Sequence, residues 1–110
     1  MQNPDNTGGQ RLKHKSALIT GASRGIGYAI AKSFASQGAN LVLSAFNEAG
    51  LVKVKTELDI YGVDISYMAA DISSPDSIEA LFAFAVDCHP DLDVLVNNAG
   101  IHIAKPFTDH

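Results

Sequence analysis

The residues of this chain best suited to chemistry stand at positions 20 to 27, Thr20-Gly21-Ala22-Ser23-Arg24-Gly25-Ile26-Gly27. Such a run, placed between a β-rich segment and an amphipathic one, suits the approach of a phosphate to main-chain N–H groups. Glycine clears side chains from the path, and the start of a helix offers unpaired amides at the positive end of its dipole. Gly25 and Gly27 fall in the first turn of the helix that follows, where each costs about 1 kcal/mol against alanine. Local helix stability argues against them, and a pyrophosphate argues for them.

Other candidates follow later β-rich segments: Asp71-Ile72, then Asn97-Asn98-Ala99-Gly100. Taken alone, Asp71 is a turn or cap residue and the two asparagines a polar turn. Tyr28 and Lys32 have the four-residue spacing of a tyrosine–lysine acid pair. With Ile26, Ile30 and Phe34 as the buried stripe, however, the two fall roughly 160° to 200° around the helix and face away from a sheet. They are read as surface residues, so no catalytic residue is assigned. His14, His89, His102 and His110 show no ligand spacing and are each read as structural or solvated, with the mouth of a substrate cleft as the alternative for His102, just after the Asn-Asn-Ala-Gly turn. Cys88 is alone, which excludes an internal disulfide, and it is read as an apolar filler near a helix end. No metal site is expected.

The elements that must position these residues alternate between short β-rich runs and longer helical patterns, as in parallel strands joined by crossover helices. The strands are expected at Ser16–Thr20, Ala39–Ala45, about Asp64–Ala70 and Asp93–Val96. The first helix ends at Gly38, suited to a left-handed cap. The second, about Asn47 to Tyr61, shows Leu51, Val54 and Leu58 on one face and is closed by Gly62. The third opens with Ser74 as cap and Pro75 at the first position, with Asp76 and Glu79 near the positive dipole end. Its expected core stripe is Ile78, Leu81, Phe82, Ala85 and Val86. Residues 1–10 lack periodicity, and the basic cluster Arg11, Lys13, His14 and Lys15 that follows reads as solvated charges leading into the first strand, so residues 1–14 are expected to form a flexible N-terminal arm. Residues 15–110 form the domain.

Consecutive apolar residues within the strands require cover on both faces. The fold class is therefore α/β, a Rossmann-type parallel sheet flanked by helices, with the strands in the order 3-2-1-4. That order leaves the fourth, apolar strand as an open edge, an aggregation hazard. The domain is accordingly expected to be incomplete, truncated after its fourth strand.

The sequence Thr20–Gly27, followed by Asp71-Ile72 and Asn97–Gly100 in order at successive strand ends, resembles the short-chain dehydrogenase/reductase family, in particular its 3-oxoacyl-acyl-carrier-protein-reductase-like members. The likeness spans about Lys15 to Asp109, and the glycine spacing matches this family's variant rather than the general dinucleotide fingerprint. The resemblance implies that Gly21, Ser23, Arg24, Gly25, Ile26 and Gly27 wrap the pyrophosphate and adenosine side of a nicotinamide dinucleotide. It implies that Asp71 accepts from the adenine amino group and that Ile72 packs beside the ring. Asn98, Ala99 and Gly100 would line the ribose toward the nicotinamide, and Asn97 would tie strands together.

The second strand ends Ser44-Ala45-Phe46-Asn47, with no carboxylate to bind the ribose hydroxyls, as an NAD site usually has. Glu48 is read as a dipole partner of the following helix. Arg24 is placed to pair with a 2′-phosphate, so NADP(H) is expected over NAD. In relatives the acid is a serine and a Tyr-x-x-x-Lys pair on later segments, absent from this chain. The expected function is thus the NADP(H)-binding part of an oxidoreductase that interconverts a carbonyl and an alcohol by hydride transfer, the chain being inactive alone. The alternatives are a same-fold epimerase or dehydratase, and a non-catalytic nucleotide-binding fragment. A small carbonyl or alcohol would be the parent's substrate, and homo-oligomerisation is expected for the full-length parent only.

Composition bounds the rest. The 110 residues suffice for one hydrophobic core. Eight basic against twelve acidic side chains give a net charge of −4, the wrong sign for nucleic acid. No apolar run approaches the roughly 18 to 20 residues needed to cross a bilayer, and Met1 to Gln10 lacks a signal core. A cytoplasmic protein without membrane partners is expected.

Overall fold

The computed structural model describes residues 11–98. Strand β1 (Ser16–Thr20) leads into helix α1 (Gly25–Ser36), then β2 (Asn40–Ala45), α2 (Glu48–Leu58), β3 (Ile65–Ala69), α3 (Pro75–Cys88) and β4 (Val94–Asn97). A 3₁₀ turn, Asp59–Tyr61, extends α2 and ends at Gly62, whose φ of 73° is left-handed. Gly38, with φ 93°, likewise ends α1. Both are stops that glycine allows at no steric cost.

The strands form one parallel sheet in the order β3-β2-β1-β4, as the alternation of elements led one to expect. The two-residue period of a strand divides each apolar run between two cores. Ala17, Ile19, Leu41 and Leu43 point to one face, where they meet Ala31 and Ala35 of α1 and Leu51, Val54 and Leu58 of α2. Leu18 and Val42 point to the other face and meet Leu81 and Ala85 of α3. The result is a three-layer sandwich.

Two expected core stripes shift. In α1 the buried residues are Gly27, Ala31 and Ala35, while Ile26 is 70% exposed and Ile30 and Phe34 flank the contact. Small residues at the centre of the face let the helix backbone lie close to the sheet, so the larger apolar side chains move to its margins. In α3 the buried pair is Leu81 and Ala85, and Val86 is 49% exposed. Cys88 ends α3, half-buried against the second core. Strand β4 lies at the edge of the described sheet, with Leu95 opposite Leu18 and 41% exposed. No helix among the described residues is long and apolar enough to cross a membrane.

Candidate functional site

At the carboxyl end of β1 the chain turns through Gly21, with φ 62°, and the next residue, Ala22, is fully buried and donates its N–H to Ser44 O at 3.0 Å. This bond holds the loop against the end of β2. Gly25, also at φ 62°, starts α1, and a Cβ there would meet nothing within 4 Å. Its glycine therefore serves the backbone conformation rather than tight packing. Gly27 is the opposite case. A Cβ there would collide with the carbonyl oxygen of Gly21 and come within 2.8 Å of Asn98 Nδ2. That amide donates to Gly21 O at 3.2 Å, so the end of β4 is fastened to the same turn. Gly50, in the first turn of α2, performs a third close approach, since a Cβ would stand 2.8 Å from Ser23 Cβ.

The three helix starts are chemically unequal. Asn47 caps α2 by accepting from Ala49 N at 2.8 Å, with Glu48 in the first turn. Ser74 caps α3 by accepting from Ser77 N at 3.3 Å, with Asp76 in the first turn. Helix α1 has neither: Arg24 at its N-cap makes no side-chain cap bond, and its first turn holds no acidic residue. Its amides and positive dipole end thus remain available to an external anion.

This start opens onto a cleft of about 940 Å³ lined by Gly21, Ser23, Arg24, Gly25 and Ile26, by Ala45, Phe46 and Asn47 from the end of β2, by Ala49, Gly50 and Lys53 of α2, and by Asn98. Among the described residues, the lining holds two cations, Arg24 and Lys53, and no carboxylate. The uncapped helix start, the glycine turn and this charge balance fit a pyrophosphate.

Of the residues singled out in the sequence, Gly21, Ser23, Arg24, Gly25, Ile26 and Asn98 come together in this cleft, with Gly27 packed beneath it. The others take different places on the rim. Asp71 follows β3, and its Oδ1 accepts from Ser73 N at 3.0 Å and Ser73 Oγ at 2.6 Å. The side-chain bond first, and the backbone bond second, hold its carboxyl below the usual value of 3.8. Ile72 lines a small cavity on the α3 side with Leu18, Thr20, Leu81, Phe82 and Asn97. Asn97 accepts from Thr20 Oγ1 at 3.1 Å, tying β4 to β1, while its buried Nδ2 has no partner among the described residues. Ala99, Gly100 and His102 lie outside the described residues.

Of the wall formed by Phe46, Asn47, Ala49, Gly50 and Lys53, sequence reasoning considered Phe46 and Asn47 only as a strand end without a carboxylate and missed Ala49, Gly50 and Lys53. The wall's signal was position rather than residue type, because these residues follow the second strand directly. The outward placement of Tyr28 is also corrected. The buried face of α1 is centred on Gly27, Ala31 and Ala35, so Tyr28 lies about 100° from it and packs half-buried against the core. Burial first, then a hydrogen bond to Glu57 of α2, raises its pKa above 10.0. Lys32 is exposed.

A parallel sheet in this order, with a glycine turn feeding an uncapped helix start at its carboxyl rim, defines the class of dinucleotide-binding α/β proteins. The family model described as short chain dehydrogenase matches residues 15–110, and the chain belongs to the short-chain dehydrogenase/reductase family of oxidoreductases. It is 40% identical over 94 residues to D-beta-hydroxybutyrate dehydrogenase of Cupriavidus necator, with 84% of this chain and 36% of that protein covered. It is 43% identical over 90 residues to 3-oxoacyl-[acyl-carrier-protein] reductase FabG of Vibrio cholerae, with coverage of 82% and 36%. L-sorbose reductase of Gluconobacter frateurii, solved with NADPH and L-sorbose, superposes with a TM-score of 0.79 at 36% identity, covering 84% of this chain and 35% of that one. Another matched family structure, from Burkholderia phymatum, is a complex with NAD. The chain thus spans little more than a third of the length of these curated relatives.

Proposed function

We propose that this chain supplies the NADP(H)-binding part of an oxidoreductase that interconverts a carbonyl and an alcohol. The observation that carries the reading is the uncapped start of α1, which opens onto a cleft lined, among the described residues, by Arg24 and Lys53 and by no carboxylate. Gly21, Ser23, Gly25, Ile26 and Gly27 would shape the pyrophosphate seat, and Arg24 would pair with the 2′-phosphate by a charge-assisted bond. Asp71, a carboxylate at neutral pH, would accept from the adenine amino group, with Ile72 beside the ring. Asn98, Ala99 and Gly100 would line the ribose toward the nicotinamide, and Asn97 would hold the strand ends in register.

A nicotinamide held here would supply the hydride for a carbonyl carbon, or accept it from an alcohol. The acid that gives the carbonyl oxygen its proton is not assigned to this chain. Tyr28 engages Glu57 of α2, a residue that does not line the cleft. The isolated chain is therefore expected to bind cofactor without turning over substrate.

Titrating the chain with NADPH and NADH tests the reading. NADPH is expected to bind roughly five- to tenfold tighter, and Arg24→Ala should remove most of that preference, in line with the strength of a charge-assisted phosphate bond. Tighter binding of NADH would overturn the NADP(H) assignment.

A further inference from the structure

Helix α2 holds a glycine in its first turn, Gly50, at a place where alanine would favour the helix. What the glycine avoids is a collision with Ser23: a Cβ at position 50 would stand 2.8 Å from Ser23 Cβ and 3.4 Å from Ser23 Oγ. Carbon atoms attract one another at about 3.5–4.0 Å, so one of the two segments must retreat when a methyl group is added. Because Ser23 Cβ is bonded directly to the main chain, turning the side chain does not relieve the contact.

Which segment gives way follows from how each is held. On α2, Leu51, Val54 and Leu58 are buried, and withdrawing the helix would open the core of the α1–α2 face. The glycine turn is held firmly near its two ends, by the bond from Ala22 N–H to Ser44 O and by the packing of Gly27 under Gly21. Between them Arg24, Gly25 and Ile26 are exposed, and Arg24 makes no side-chain cap bond. The turn is therefore the softer partner, and its residues 23–26 all line the cleft.

The geometry points to Gly50 as a positioning residue: by withholding a side chain at the start of α2, it lets Ser23 and Arg24 lie where the amides of α1 open onto the cleft. Its effect on the cofactor rests on the dinucleotide reading, whereas its effect on the turn rests on packing alone. Gly50 acts through Ser23 and not through a group of its own. A small displacement of the turn matters because ligand-holding groups must sit within about 0.5 Å of their productive places.

Calorimetry and backbone NMR on Gly50→Ala test this. NADPH binding is expected to weaken about tenfold, as for one hydrogen bond lost to a charged group. Tm should change little, because alanine's preference for the helix offsets the displacement of the turn. In the ligand-free variant the amide resonances of Ser23, Arg24 and Gly25 should shift, and those of α3 should not. Ser23→Gly supplies the rescue: in that background Gly50→Ala should change NADPH affinity less than about twofold, the mark of a pair coupled by contact. Undiminished NADPH affinity in Gly50→Ala would overturn the assignment. So would an equal loss in both backgrounds, because Gly50 would then act by leaving room in the cleft itself. A Gly50→Ala chain that fails to fold would overturn it too, since α2 and not the turn would have given way. A wild-type chain that binds neither NADPH nor NADH would overturn the dinucleotide reading, and the resonances of Ser23 and Arg24 would then decide by themselves whether Gly50 places the turn.

Discussion

Three glycines in one turn do different work, and substitution separates them. At Gly27 an added methyl group must displace the carbonyl of Gly21 and the amide of Asn98, so Gly27→Ala is expected to lower stability by about 1–3 kcal/mol, as overpacking does, and to abolish NADPH binding. At Gly25 the same methyl meets open space but imposes a left-handed φ of 62°, for which the cost is about 1–2 kcal/mol. Thermal unfolding of both variants, alongside NADPH titration, checks this. Asp71 offers a pH signature. Its depressed folded pKa means that the bonds from Ser73 contribute fully above the ordinary value of 3.8 and are lost as pH falls through the lower folded value. NMR titration should place the Asp71 midpoint below 3.8, and Ser73→Ala should move it upward.

Among the helices, the contrast in capping divides structure from function. Ser74 satisfies an otherwise unpaired amide at the start of α3 and lies outside the cleft. Ser74→Ala is expected to cost about 1 kcal/mol, read as a lower Tm, with the Kd for NADPH unchanged. Helix α1 lacks such a cap at the place where the cleft opens, and bound phosphate oxygens would stand in for the missing acceptor. Helix boundaries were largely legible, since Pro75, Gly38 and Gly62 act through local backbone geometry. The buried face of α1 was not. Periodicity finds the most apolar stripe, Ile26-Ile30-Phe34, whereas close helix–sheet contact selects the smallest one, Gly27-Ala31-Ala35.

Across the whole molecule, the sheet distributes its support unevenly. Among the described residues, the α1–α2 face buries thirteen residues in one cluster, against five on the α3 face. The second face therefore depends heavily on Leu81, which is 2% exposed. Leu81→Ala is expected to destabilise the chain by about 2–5 kcal/mol, a loss measurable by urea denaturation. Helix α3 also borders the small cavity that holds Ile72 and Asn97, so the damage should reach the rim and weaken NADPH binding as well.

The sequence by itself determined the strand order, the helix stops and the glycine turn, because these depend on residue spacing and on backbone preferences that act over a few positions. Tertiary structure alone decided that Phe46, Gly50 and Lys53 share a wall with Ser23 and Arg24, and that Gly27 lies beneath Gly21 and Asn98. Those groupings arise when parallel pairing sets distant strand ends side by side, and no local period in the chain encodes which ends will meet.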